Sequence, residues 1–160
     1  MRKQKGFSLI ELLIVVAIIL IIAAIAIPNL LRSRIAANEA SAVGSVRTIN
    51  TAEITYAATY PDIGFTCTAS QLGPPASGTP TSTAAGLIDS VLAGGAKSGY
   101  NLALSNCTGG TNQPIVTFTV TATPVSDGQT GIRRFCSDQS GVIRYAPTGT
   151  CDVTSSNPLQ

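Results

Sequence analysis

Across 160 residues the chain carries ten Lys and Arg against eight Asp and Glu, with 11% charged side chains, 44% hydrophobic residues and no His or Trp. So even a balance leaves no electrostatic footprint for nucleic acid, and the lack of His excludes Ser-His and Cys-His nucleophile systems. The length suits one modest domain plus an extension.

The first six residues, "MRKQKG", hold three of the cations, Arg2, Lys3 and Lys5. From Leu12 to Leu31 the sequence is uncharged, long enough to cross a bilayer as a helix. The basic flank predicts a cytoplasmic N-terminus, with residue 32 onward outside. The run ends in "AIAIPNLLRSR" rather than at small residues of the A-x-A kind, so an uncleaved anchor fits better than a secretory signal. Glu11 breaks the pattern. A carboxylate within a membrane helix costs on the order of 3 kcal/mol unless it reaches an interface or a partner. A cut after Gly6 would give Phe7 a free α-amino group, which could meet Glu11 of a neighbouring subunit.

The stretch "KGFSLIELLIVVAIILIIAAIAIPNLLRSR" resembles the N-terminus of type IV pilins and pseudopilins, most closely a type IVa major pilin. The resemblance implies a leader of residues 1–6, removed between Gly6 and Phe7 by a prepilin peptidase that then methylates the Phe7 amine. It implies that Glu11 pairs with the amino terminus of an adjacent subunit as a homo-oligomeric helical filament assembles, with the help of inner-membrane machinery. It also places a proline where Pro28 falls. Pro28 removes a backbone donor and clashes with the Ala24 carbonyl, predicting a kink or local break. No Gly lies between Gly6 and Gly44, so any melted stretch should be short.

Past Arg32 the pattern becomes amphipathic. Ile35, Ala42, Val46, Ile49 and Ala57 recur at helical spacing, with Arg34, Asn38, Glu39, Arg47, Asn50 and Thr51 filling much of the rest. Pro61 makes Tyr60 the expected helix end. Residues 7–33 are thus read as a transmembrane and filament-core helix, and 34–60 as the amphipathic helix of a head domain.

Residues 61–99 read as a loop, with an exposed Pro/Ser/Thr/Gly connection over 70–83 and a short apolar helix near Ala84–Leu92. Residues 100–160 hold four predicted strands. Tyr100–Ser105 and Val116–Ala122 alternate with period two; "GIRRFCS" and "GVIRYAP" follow, joined through the tight-turn sequence "DQSG". The expected fold class is α+β: a long N-terminal helix packed on a four-stranded antiparallel sheet, which is also the architecture of the resembled family.

Cys67, Cys107, Cys136 and Cys151 follow a membrane-directing segment, which points to disulfides. No C-x2–4-C spacing supports zinc. Four cysteines allow three pairings. The resemblance favours Cys136–Cys151, bounding the C-terminal region, which leaves Cys67–Cys107. No enzyme, cofactor or metal is expected: Asp62, Asp89, Asp127, Asp138 and Asp152 are scattered at turn-like positions, and no dense oxygen-ligand loop suggests calcium. Arg133, Arg134 and Arg144 form either a small basic patch or solvated strand faces. The functional expectation is a structural subunit of a type IV pilus, held in the bacterial inner membrane before assembly and extracellular afterwards. The alternatives are a pseudopilin of a type II secretion system or a minor pilin.

Overall fold

The computed structural model describes residues 6–109 and 113–159. Residues 1–5 of the expected leader lie outside the described residues. The chain divides into two compact units, one ending at Arg34 and the next beginning at Ile35. Helix α1, Leu9–Thr59, contains Pro28 and stays helical through it. It ends one residue short of the expected Tyr60, whose N–H still bonds the Tyr56 carbonyl at 2.8 Å.

In the second unit one stripe of α1 is buried: Ile35, Glu39, Ala42, Val46, Ile49, Glu53 and Tyr56. These positions alternate steps of three and four, the spacing that keeps a single seam of a helix facing a partner. The partner is the sheet. Tyr100 and Leu102, Phe118, Val120 and Ala122, Phe135 and Ile143 join Ala42, Val46, Ile49 and Tyr56 in one core. Successive strand residues point to opposite faces, so Phe135 and Ser137 turn toward α1. Cys136, between them, is buried and bonded to Cys151. Phe65 adds an edge contact on Phe118, with ring centroids 4.8 Å apart.

The sheet has six antiparallel strands in sequence order, not four. The expected strands are β2 (Tyr100–Thr108), β3 (Thr117–Pro124), β4 (Arg134–Asp138) and β5 (Arg144–Ala146). The additions are β1 (Ala96–Lys97) and β6 (Asn157–Pro158), one on each edge. Two residues are too few to show a periodicity. Pro158 lacks an N–H, which an edge strand tolerates.

The 61–99 region is more ordered than a loop reading implies. It carries two one-turn helices, α2 (Ala69–Leu72) and α3 (Ser90–Ala93). The short helix expected near Ala84–Leu92 therefore begins only at Ser90, because Asp89 caps it by accepting the Leu92 N–H at 2.8 Å. Gly64, at φ +77°, bridges Ile115, and a Cβ there would run into the Ile115 backbone. That close approach fixes the start of the loop against the chain entering β3.

The structure joins Cys67 to Cys107, with Cα atoms 5.9 Å apart, and Cys136 to Cys151, with 5.7 Å. The second closes a sequence separation of 15 residues, worth about 3 kcal/mol in the chain-entropy description. Replacing both Cys136 and Cys151 with Ser should lower the unfolding free energy by about that amount. Urea unfolding of the full chain in detergent checks this, and an unchanged midpoint would refute it.

Candidate functional site

The N-terminal unit presents its apolar side chains outward. From Gly6 to Arg34 every residue except the half-buried Ala23 is exposed, and Phe7 is 83% exposed. Helix α1 is long and apolar enough to cross a membrane. Fully burying a Leu or Ile side chain contributes about 1.5–3 kcal/mol. A helix exposing Leu, Ile and Val along most of its first 22 residues therefore calls for lipid or protein neighbours.

Glu11 has a local role that the sequence analysis missed. Its Oε2 accepts the Ser8 backbone N–H at 2.9 Å. With α1 starting at Leu9, Ser8 is the cap and Glu11 the third helical residue. The string "SLIE" thus has the S-x-x-E spacing of a capping box, a signal readable without any structure. The carboxylate also sits in the first turn, where the helix dipole favours negative charge. Gly6 precedes this turn in open space, and Phe7 separates it from the cap.

In the second unit the charges are largely spent on structure. Glu39 lies in the buried stripe, yet it accepts N–H groups of Ile132 and Arg133 at 3.0 Å each and the Arg133 Nε at 2.8 Å. Burial opposes ionisation, but these bonds and the guanidinium outweigh it and hold the carboxyl below the usual range. Its ionisation stabilises the fold above the ordinary carboxylate pKa, a contribution lost as pH falls below that range. Tyr100 donates to the Arg133 carbonyl at 2.7 Å. Burial, with the Glu39 charge adding to it, pushes its hydroxyl up to about 12.

Arg133, Arg134 and Arg144 do not make a free basic patch. Arg133 pairs with Glu39, Arg134 with Asp127, and Arg144 donates to the Ser156 carbonyl. Asp138 accepts the Ser140 N–H and Asp152 the Thr154 N–H, both turn contacts.

Among the described residues, the segment whose side chains the fold leaves unused is therefore the N-terminal one. Residues 1–27 match the prokaryotic N-terminal methylation motif. Over 39 residues the chain is also 67% identical to the type IV wide pilus major component PilA4 of Thermus thermophilus. That alignment covers 24% of this chain and 30% of the Thermus protein. No solved structure matches the chain. Both matches bear out the resemblance to type IV pilins read from the N-terminal residues.

Proposed function

We propose that the chain is a structural subunit of a type IV pilus. A prepilin peptidase cuts it between Gly6 and Phe7 and methylates the Phe7 amine. The remaining helix holds the subunit in the inner membrane, with the head outside, until assembly machinery moves it into a filament. There the apolar N-terminal helices exchange lipid for each other, Glu11 meets the amine of a neighbouring subunit, and Pro28 supplies a weak point in the helix.

The carrying observation is the methylation motif at the head of an apolar segment that, from Gly6 to Arg34, exposes nearly all its side chains. The similarity to a protein named as a major pilus component supports a pilus over a secretion pseudopilus. Freed of the membrane, a lone helix of this kind would aggregate; a helical bundle of copies gives each apolar face a partner. Shearing surface fibres from cells and weighing their subunits tests the proposal. Fibres built of a chain that starts at methylated Phe7 are the expected result. A chain starting at Met1 and confined to the membrane would overturn it.

A further inference from the structure

Asn50 and Glu53 lie three residues apart on α1, and each buries one side-chain oxygen that meets no donor among the described residues: Asn50 Oδ1 and Glu53 Oε1. Asn50 spends its amide on Ser137 Oγ at 2.7 Å, and Ser137 spends its own proton on the Val142 carbonyl at 3.0 Å. That relay fixes the amide's orientation, because a flipped Asn50 would set its oxygen against a hydroxyl whose proton is already used. Glu53 is 0% exposed, and its Oε2 accepts the Thr66 N–H at 2.8 Å. Residues three apart on a helix are surface neighbours. Two oxygens placed there can satisfy one another only if one of them carries a proton.

We propose that Glu53 occupies the folded head as the neutral acid, with the proton on Oε1 donated to Asn50 Oδ1 directly or across one enclosed water. The head then contains a proton-binding site made of an acid and an amide. Glu39, on the same stripe, shows the opposite solution, with two backbone N–H groups and a guanidinium for its charge. Glu53 has one backbone N–H and, among the described residues, no cation. Burial pushes its carboxyl up to about 7, opposed only by the Thr66 N–H. The titratable group facing it on α1 is Tyr56, whose own hydroxyl is pushed up by burial, by Tyr60 and by the Glu53 charge. From the loop come Thr66 and Gln71, hydrogen-bonded to each other, and the Cys67–Cys107 disulfide beside Thr66. From the sheet comes Ser137, through Asn50. None of these loop and sheet groups carries a charge.

The folded pKa is raised, so the stabilising contribution is complete below about pH 4.5 and is lost as pH rises through about 7. The chain has no His to titrate in this window, and the lowered carboxyls of Glu39, Asp89 and Asp152 titrate beneath it. The α-amino group, which titrates near its alkaline end, is the same in the wild type and in Glu53→Gln. Thermal unfolding of the full chain in detergent, followed from about pH 4.5 to about pH 8, tests the site. The folding equilibrium constant should fall by a factor on the order of a hundred across that range. Glu53→Gln should flatten the profile and be more stable than the wild type at the alkaline end. Asn50→Leu, which removes the acceptor, should move the midpoint to lower pH. If Glu53→Gln fails to fold, infrared spectroscopy of the wild type decides. A protonated-carboxyl stretch that disappears near pH 7 is expected, and its absence in mild acid would overturn the proposal. A wild-type profile that is already flat, or a slope that persists in Glu53→Gln, would overturn it as well.

Discussion

With Val in place of Gly6, the chain is expected to accumulate as an uncut precursor, and surface filaments should be lost almost completely. The folded protein gives no reason for such an effect. A Cβ added at Gly6 meets nothing within 4 Å, and α1 begins only at Leu9. Any defect must therefore arise in the enzyme that reads the chain, under the proposed function. A peptidase has to bring its catalytic groups against the backbone at the scissile bond, and glycine lets a backbone be approached most closely. A branched Cβ obstructs that approach, whereas the single methyl of Gly6→Ala obstructs it less. The expectation is thus graded: partial cleavage for Ala, essentially none for Val. Intact-mass measurement of the membrane fraction checks it. Finding the Val variant starting at Phe7 would refute the requirement for glycine before the cut.

The fold was legible where the sequence carries a period and opaque where chemistry hides in it. Ile35, Ala42, Val46 and Ile49 mark the buried stripe of α1 plainly. Continuing their three-four spacing leads to residues 39 and 53, both glutamates, and a polar reading puts glutamate outside. Both are buried, because donors from chain far away in sequence, at Ile132, Arg133 and Thr66, satisfy them. Nothing near Glu39 or Glu53 in the sequence announces those donors. Conversely Ile54 is apolar and 55% exposed, one position off the seam. The Val116–Ala122 alternation located β3, whereas Ala96–Lys97 and Asn157–Pro158 are strands only because neighbouring strands offer edges to pair with. The three cysteine pairings were not separable by spacing. Proximity in the fold chooses between them. At the N-terminus the motif is fully legible, and the S-x-x-E spacing of "SLIE" carries the capping signal in the same residues.

That second explanation sets the most informative substitution. Glu11 does two things under the proposed function: it caps α1 through the Ser8 N–H at 2.9 Å, and its charge answers the amine of a neighbouring subunit. Glu11→Ala removes both, so a loss of filaments from it alone does not say which mattered. Glu11→Gln separates them, since a glutamine oxygen can accept the same Ser8 N–H and completes a capping box as well as glutamate does. The helix start and the cut after Gly6 should survive in the Gln variant. The charge does not. An ammonium buried between subunits with no carboxylate loses on the order of 3 kcal/mol or more, and each 1.4 kcal/mol is about tenfold in an equilibrium. Filament yield from Glu11→Gln should therefore fall at least about a hundredfold, with mature subunit remaining in the membrane. Ser8→Ala, which keeps the backbone N–H that Glu11 uses, should assemble nearly normally. Quantified shear fractions against membrane pools give the comparison. If Glu11→Gln builds filaments as well as the wild type while Glu11→Ala does not, Glu11 serves to start the helix, and the intersubunit ion pair is the part of the reading that must go.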